Sequence, residues 1–228
     1  MVEARSLNSR ARTSPGDALA DVIQRLFPQE CAATTHQRPR SYVFHQGSPV
    51  DVVHLVVRGT LVLERIDEEG RTVMFGTQPV GTLLGWQDLL DGHVHRSSCQ
   101  SICASDLITI PTERFESALR ESEDLLLKLM QQAAIQTNYY EEHIFRLSTL
   151  DVPERLYRTL WTLAGSPELE GEVIEVETPL MKRDIAALVG TSPESLSRGL
   201  QRLSRLKVAE FTDKNTFRLL PNNKMDIK

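Results

Sequence analysis

Residues 181–206, MKRDIAALVGTSPESLSRGLQRLSRL, determine the fold of the C-terminal part of the chain. A first helix, about Lys182 to Val189, is predicted from apolar residues at helical spacing: Ile185, Leu188 and Val189. Gly190 follows, and glycine tolerates the left-handed conformation in which helices often end. Ser192 is a preferred N-cap, and Pro193 suits the first position of a second helix. The stretch therefore predicts two short helices joined by a tight turn.

The second helix is amphipathic. Its buried face is predicted from three leucines: Leu196, Leu200 and Leu203. Its opposite face carries only polar side chains: Glu194, Ser197, Arg198, Gln201, Arg202 and Arg205. Such groups can contact base edges in the DNA major groove as well as phosphates. Val208 to Leu219, with Lys214 at its turn, predicts a hairpin wing. We therefore predict a DNA-binding module, to which Lys182 and Lys214 add phosphate contacts.

Charge is distributed unevenly along the 228 residues. The net charge of −5 alone argues against binding to nucleic acid. Residues 181–228, however, contain ten Lys and Arg against five Asp and Glu, so this segment is +5 and the remainder is −10. A basic module on an acidic body is expected when only one end of a protein meets phosphate.

The region from about Arg38 to Pro111 is rich in β-forming residues. Short candidate strands alternate there with turn signals such as Arg58-Gly59 and Glu68-Glu69-Gly70. The candidate strands are Ser41–Phe44, Val52–Val57, Thr60–Ile66, Val73–Thr77, Ser98–Ile102 and Leu107–Ile110. Many short strands at close spacing predict a sandwich or a small barrel.

Helical periodicity returns from Ser122 to Leu150, which predicts one helix roughly 42 Å long at 1.5 Å per residue. Its heptad a and d positions form a narrow seam: Leu126, Met130, Ala133, Thr137, Tyr140, Ile144 and Leu147. A seam this narrow suits a second copy of the same helix, so we predict a homodimer. Packing of the helix within its own chain is the alternative.

A hinge is predicted directly after the long helix. Asp151 is a good N-cap, Pro153 lies in the first turn and Glu154 is at the third helical position, so one helix ends and another begins here. After this second helix, the acidic stretch from Glu168 to Glu177 is expected to be a loop leading into the last module.

The sequence from Met181 to Arg198 resembles the winged helix-turn-helix of the cyclic-AMP receptor protein and fumarate-nitrate regulator (CRP/FNR) superfamily. The pattern Phe44-x-x-Gly-x-x-x-Asp-x-Val-x-x-Val-x-x-Gly59 is similar to the sensor β-roll of that family. The resemblance runs from about residue 17 to 220. Within the family, Glu194-x-x-Ser197-Arg198 resembles the fumarate-nitrate branch, since the cyclic-AMP branch would carry Arg and Gly where Pro193 and Ser197 stand.

This resemblance implies an α+β protein with a jelly-roll-like sensor. We divide the chain into a flexible leader, a cyclic-nucleotide-binding-like sensor β-roll, a dimerisation helix and a winged helix-turn-helix domain: residues 1–16, 17–121, 122–150 and 151–228. The implied function is transcription regulation, not enzymatic catalysis. The implied partners are double-stranded DNA with TTGA-type half-sites in an inverted repeat, a second copy of the chain and, for an activator, RNA polymerase.

The effector is not predicted to be cyclic AMP. Family pockets place a Gly-Glu pair and an Arg-Ser pair around the ribose and phosphate, and here Gly85-Trp86 and Arg96-Ser97 occupy those places. Tyr140-Glu141 stands where a Thr-Ser pair would read the adenine. Arg96 is either an anion ligand or a surface arginine. A regulator that needs no effector is the alternative.

No cofactor is identified from the sequence. Three cysteines, Cys31, Cys99 and Cys103, argue against a 4Fe-4S cluster, which takes four thiolates, and fit a reducing compartment. We expect Cys99 and Cys103 to be small buried hydrophobes. Haem, with a bound gas such as nitric oxide or carbon monoxide, stays open. Its candidate axial ligands are His143 with Met74, His93 or His95.

A cupin-like metalloenzyme is the alternative from a different protein class. His93-x-His95 on a barrel resembles the metal pair of a cupin-like enzyme, but no carboxylate follows within the next few residues, and such an enzyme would need neither heptad helix nor basic wing. The sequence has no apolar run of about 18 residues and no signal-peptide core, so we expect a cytoplasmic protein without a membrane partner.

Overall fold

The computed structural model describes residues 5–6, 15–28, 32–166, 173–213 and 215–220. The chain forms two compact units. The N-terminal unit comprises residues 11–140, and the C-terminal unit comprises 141–228 together with 1–10. The mixed α+β class predicted from the sequence is confirmed.

Part of the expected leader has regular structure. Strand β1, Arg5–Ser6, pairs in parallel with a strand of the C-terminal unit, Ile174–Glu177. Helix α1 spans Pro15–Leu26 and so begins before the boundary expected at residue 17. Residues 1–4 and 7–14 of this leader lie outside the described residues.

Two antiparallel sheets build the N-terminal unit. Its strands are β2 Ala33–Gln37, β3 Tyr42–Phe44, β4 Val52–Arg58, β5 Leu61–Ile66, β6 Thr72–Gln78, β7 Leu83–Leu84, β8 Ser98–Ser101 and β9 Ser105–Pro111. One sheet has the order β2-β9-β4-β7 and the other β3-β8-β5-β6. The six strands predicted from the sequence are all present within two residues of their expected ends, whereas β2 and β7 were not anticipated.

Three helices complete the N-terminal unit: α2 Trp86–Asp91, α3 Thr112–Glu121 and the first part of α4, Glu123–Thr149. Leu19 and Ile23 of α1, Phe115 of α3 and Leu125 and Leu129 of α4 are buried in one apolar cluster with β4. The early turns of α4 are therefore anchored on their own β domain. The long helix predicted for 122–150 is present almost to the residue.

In its described residues, the C-terminal unit contains three helices after α4: α5 Val152–Leu163, α6 Lys182–Val189 and α7 Pro193–Arg205. Strands β10 Ile174–Glu177, β11 Ala209–Phe211 and β12 Thr216–Leu219 form a sheet in the order β1-β10-β12-β11. The hairpin wing is thus present. At the start of α5, Asp151 Oδ1 accepts a hydrogen bond from Glu154 N at 3.0 Å, and Glu154 Oε2 accepts one from Asp151 N at 3.1 Å, as the hinge sequence predicted.

Two expectations about local structure were wrong. The acidic stretch after α5 is not entirely loop, because Ile174–Glu177 is strand β10, in which Glu175 is paired with Arg218 of β12 at 2.5 Å. Cys99 is buried, but Cys103 is only half-buried and follows the end of β8. Its carbonyl accepts hydrogen bonds from Ser101 and Ser105, which fold the chain into a turn there. Cys31 lies outside the described residues.

Among the helices of the described residues, none combines the length and apolar character needed to cross a membrane.

The turns at Gly59 and Gly70 test how tightly the β domain of the N-terminal unit is packed. Both glycines have positive φ, 97° and 78°, which costs an L-residue about 1–2 kcal/mol. A Cβ at Gly59 would also lie 2.8 Å from the Ser105 backbone, whereas one at Gly70 would meet nothing within 4 Å. Gly59→Ala should therefore lower the thermal midpoint much more than the matched variant Gly70→Ala. Equal midpoints would contradict this packing.

Candidate nucleic-acid interface and effector site

The α6-turn-α7 segment is ordered by caps at both helix starts. Asp184, which is buried, accepts a hydrogen bond from Met181 N at 2.8 Å at the start of α6. Ser192 Oγ accepts one from Ser195 N at 3.2 Å, so Ser192 caps α7. Between them, Gly190 has φ 69° and ψ 52°, the left-handed conformation. The structure places both helices and the turn where the sequence predicted them.

The turn at Gly190 packs against the end of α4. The positive φ at Gly190 favours glycine, and a Cβ there would lie 2.9 Å from Leu147 Cδ2, so the Leu147 side chain would have to shift to admit one. Arg155 of α5 ties the same region together, since its guanidinium donates to the carbonyl oxygens of Val189 at 3.1 Å and Leu150 at 2.9 Å. The end of α4, the start of α5 and the turn are therefore held as one cluster.

Helix α7 buries one face and exposes the other. Leu196, Gly199 and Leu203 are buried, and a Cβ at Gly199 would already lie 3.4 Å from Leu156 of α5. Leu200, expected to be buried, is half-buried. All six polar residues predicted for the outer face are exposed: Glu194, Ser197, Arg198, Gln201, Arg202 and Arg205. Because the leucine face of α7 is packed against the domain, the opposite face presents its hydrogen-bond donors and acceptors to solvent.

The start of α7 carries complementary charges. Its own backbone N–H, then the Ser192 hydroxyl and the Arg198 charge, lower the pKa of Glu194, so its carboxylate is ionised at neutral pH. Arg198 Nη2 donates to Ser195 Oγ at 3.0 Å. Carboxylate and guanidinium therefore lie within one turn of each other at the helix end that enters a groove in helix-turn-helix proteins.

Two of the other cations expected at DNA contact groups of their own chain. Arg202 forms an ion pair with Asp151, the N-cap of α5, at 2.9 Å. The Lys182 ammonium lies 5.4 Å from the centre of the Phe211 ring in β11 and so connects α6 with the wing. Lys214 lies outside the described residues.

The residues predicted for an effector pocket do not line one cavity. Trp86 is buried in the apolar cluster of the N-terminal unit, and its Nε1 has no hydrogen-bond partner among the described residues. Gly85, at φ 84°, precedes α2 and lies close to His95. Glu141 is exposed and Ser97 is half-buried. An indole therefore fills core space at the position where a cyclic-nucleotide pocket of the family would have a ribose-binding carboxylate.

Arg96 lies in an open cleft of about 540 Å³. It forms an ion pair with Asp91, and its carbonyl oxygen accepts a hydrogen bond from Arg65 Nε at 2.9 Å. Gln46 and Gly47 also line this cleft. The cleft carries two guanidinium groups, but a carboxylate of the same chain already neutralises Arg96.

Aromatic rings surround Tyr140, which stands where a nucleotide pocket of the family would contact the adenine. Tyr140 meets Phe75 edge to face, with ring centres 6.5 Å apart, and meets Tyr139 similarly at 5.7 Å. Arg65 stands 5.3 Å from the centre of the Phe75 ring. These contacts place Tyr140 against its own β domain. They were not visible in the sequence, because Phe75 and Tyr140 are far apart along the chain.

The predicted dimer seam divides into two groups. Leu126, Met130, Thr137, Ile144 and Leu147 are exposed on α4, as a seam in a single protomer requires. Ala133 and Tyr140 instead contact their own β domain, which the heptad assignment did not anticipate. An α-helix drifts by about 20° per heptad relative to a 3.5-residue repeat, so residues at the edge of the stripe can face inward.

The candidate haem ligands have separate environments. Met74 and His95 are buried, and the His95 ring stacks on Phe44 with 3.7 Å between ring centres. His93 is exposed, and burial, followed by Arg146 and Arg155, lowers the pKa of His143. Haem binding stays a prediction. In the described part of the chain, no three His, Cys, Asp or Glu side chains are grouped to hold a metal ion.

Comparisons with known proteins agree with this architecture. The model of the cyclic nucleotide-binding domain matches residues 34–122, and that of the Crp-like helix-turn-helix domain matches residues 154–221. The cAMP-activated global transcriptional regulator CRP of Salmonella typhimurium is 26% identical over 170 residues, which cover 74% of this chain and 81% of that protein. A CRP-like cAMP-activated global transcriptional regulator of Mycobacterium tuberculosis is 25% identical over 190 residues, 80% of this chain and 85% of that protein.

Solved structures share the fold. The c-di-GMP responsive global regulator CLP of Xanthomonas campestris superposes with a TM-score of 0.76 at 20% identity, covering 90% of this chain and all of that one. A CooA mutant from Carboxydothermus hydrogenoformans gives a TM-score of 0.73 at 15% identity, with 96% of each chain covered. At these identities the likeness shows the fold alone.

A buried histidine makes the stability of the barrel depend on pH. Burial, followed by the His95 charge, lowers the pKa of His54 from 6.5 to about 4. Below pH 6.5 the unfolded chain binds a proton that folded His54 does not, so stability should fall between pH 6.5 and 4, by roughly 3 kcal/mol. His54→Phe removes the titrating imidazole and should therefore flatten this dependence on pH. The variant leaves Thr109 with Thr35 as a hydrogen-bond partner, so the loss of the imidazole orphans no hydroxyl. Unfolding titrations at several pH values, with the exposed His45→Phe as control, test this; an equally steep loss in His54→Phe would refute it.

Proposed function

Because this chain belongs to the CRP/FNR family of transcription regulators, we propose that it is a homodimer that binds an inverted repeat in double-stranded DNA through α7. The observation that carries the proposal is the two-faced packing of α7, with leucines against α5 and six polar side chains exposed. Two such helices in a symmetric dimer would enter successive major grooves about 34 Å apart.

Base recognition is assigned to the start of α7. Arg198 can donate to guanine O6 and N7, and Glu194 can accept from cytosine N4, so together they would fix one G·C pair in each half-site. Ser197 can contact a neighbouring thymine. By resemblance to the fumarate-nitrate branch, we expect TTGA-type half-sites. Arg205, Lys182 and Lys214 would contact phosphates, which add affinity without sequence information.

Dimerisation is assigned to α4. Met130 and Ile144 expose 63% and 62% of their surface, and Leu126 on the same helix exposes 47%. Apolar side chains this exposed at heptad spacing are expected to pair with a second copy of the helix. If the regulator is an activator, RNA polymerase would be a further partner.

The effector is proposed to differ from cyclic AMP. Trp86 fills core space instead of presenting a carboxylate, and Phe75 and Tyr140 stand in contact on the side where adenine would be read. The single conventional anion ligand, Arg96, is paired with Asp91.

The first prediction of the proposed function concerns sequence readout. Arg198→Ala should weaken binding to a TTGA inverted repeat by about 1–3 kcal/mol and relax the preference at the G·C position, because a bidentate base contact is lost. Lys182→Ala should weaken binding to all sequences alike and flatten the salt dependence. Fluorescence anisotropy with the repeat and its G·C substitutions measures both. Equal discrimination by wild type and Arg198→Ala would refute the assignment.

The second prediction concerns the oligomer. Ile144→Asp would place an unpaired charge in the seam and should convert the dimer to monomer, because burying that charge costs about 3–5 kcal/mol of the free energy of dimerisation. Gln131→Asp puts the same charge on an exposed position of α4 and serves as the control. Sedimentation velocity distinguishes the species. A dimer that persists in Ile144→Asp would move the interface elsewhere.

The third prediction concerns cyclic AMP. Bound nucleotide would leave ribose and base groups unpaired, at about 1–3 kcal/mol each. Calorimetric titration should therefore find no micromolar site, and cyclic AMP should leave DNA affinity unchanged. Micromolar binding accompanied by tighter DNA binding would overturn this part of the proposal.

A further inference from the structure

The Asp151 side chain has two partners at the start of α5. Its Oδ1 accepts the capping hydrogen bond from Glu154 N at 3.0 Å, and its Oδ2 accepts a hydrogen bond from Arg202 Nη1 of α7 at 2.9 Å. The cap needs an oxygen but no charge, since Asn and Ser are as good at this position as Asp. The ion pair needs the charge. One substitution can therefore separate the two roles.

This ion pair lies beside the exposed face of α7. A Cβ at Gly199 would lie 3.8 Å from the Pro153 backbone, so the first turn of α5 packs directly against α7. Arg202 follows Arg198 by one helical turn, and both residues are exposed. Asp151 thus places a carboxylate next to the cations with which α7 would meet DNA.

Both side chains of the pair are open to solvent. Arg202 exposes 59% of its side chain and Asp151 exposes 44%. An exposed ion pair contributes little stability, because water screens the two charges and both side chains lose conformational freedom. A DNA phosphate within reach of the guanidinium can therefore replace Asp151 as its partner.

Arg198 has a different kind of partner. It donates to the hydroxyl oxygen of Ser195 at 3.0 Å, which carries no charge. Of the arginines on the exposed face of α7, Arg202 alone forms an ion pair with Asp or Glu in the part of the chain that the structure describes. The competition for a cation is thus specific to one position of the helix.

The carboxylate of Asp151 opposes the attraction between Arg202 and DNA. A guanidinium that neutralises a phosphate releases counterions from the duplex, which raises the affinity and makes it depend on salt. While Arg202 is paired, the two opposite charges largely cancel at the distance of a phosphate. The affinity gained from Arg202 is therefore smaller than that of an unpaired arginine.

We propose that Asp151 limits the DNA affinity of the protein by competing with backbone phosphate for Arg202. The proposal rests on the DNA-binding function proposed above. Arg202 is a phosphate contact whose strength Asp151 sets, and discrimination between sequences stays with Glu194 and Arg198. Because phosphates carry no direct sequence information, Asp151 weakens binding to every sequence alike.

Asp151→Asn tests the competition, because it removes the charge and keeps the cap. Fluorescence anisotropy at about 100 mM salt should show binding about 3- to 10-fold tighter to a TTGA inverted repeat and to a scrambled duplex alike. The slope of log affinity against log salt should steepen by about 0.9 for each protomer. Asp151→Ser is a second neutral cap and should behave in the same way. Unchanged or weaker binding by folded variants would overturn the proposal.

A double-mutant cycle tests whether Asp151 acts through Arg202. In the background of Arg202→Gln, Asp151→Asn should change the affinity by less than about twofold, because the contested cation is gone. Equal tightening in both backgrounds would mean that the carboxylate repels DNA by itself, and would overturn the competition. Glu116→Gln, which breaks the ion pair with Arg120 on α3, is the charge-matched control and should leave the affinity unchanged.

The same titrations separate this proposal from the function on which it rests. If wild type and Asp151→Asn bind the repeat with equal affinity and equal salt slope, the competition is removed and the proposed function stays. If neither protein binds the repeat or the scrambled duplex, the proposed function is removed and the competition with it.

Discussion

The closed turn at Gly190 is the constraint on which the DNA-facing surface depends. The backbone there is left-handed, which favours glycine, Leu147 packs against the turn, and Arg155 donates to the carbonyl oxygens of Val189 and Leu150. With the turn fixed, Leu196 and Leu203 of α7 have a single surface to bury, and the opposite face must point to solvent. The chemistry available for DNA thus follows from packing on the other side of the helix. The same cluster contains the last turn of α4, so the helix that carries the seam ends at the recognition module.

The N-terminal unit has packing side chains at positions where a family nucleotide pocket would present polar groups. Trp86 contributes its indole to the core, Arg96 is neutralised by Asp91, and Phe75 and Tyr140 contact each other. At Trp86 and Tyr140 the polar group of the family's nucleotide pocket is absent, whereas the guanidinium of Arg96 is kept, and the sheets and helices of the domain are retained. A fold can keep its architecture in this way while the ligand it accepts changes, since the barrel is stabilised by its apolar clusters and not by the pocket.

Much of this architecture could be predicted from local sequence. Gly190, Ser192 and Pro193 mark the turn and the start of α7 because caps and left-handed residues act within a few positions, and α4 follows from its periodicity. Strand β10 was missed because its acidic residues suggest a loop until Arg218 is brought opposite Glu175. A cavity between Phe75–Thr82 and Gln132–Tyr140 was not predicted for the same kind of reason, because its two walls lie fifty or more residues apart along the chain and no spacing rule connects them.

Hydroxyl-radical footprinting on a TTGA inverted repeat tests the central claim most directly, because it reports where a symmetric pair of α7 helices meets the duplex. The account predicts two equal protected patches on one face of the DNA, about 10 base pairs apart and mirrored on the two strands. Arg198→Ala should reduce both patches equally. A single asymmetric patch, or protection that ignores the repeat, would contradict the account.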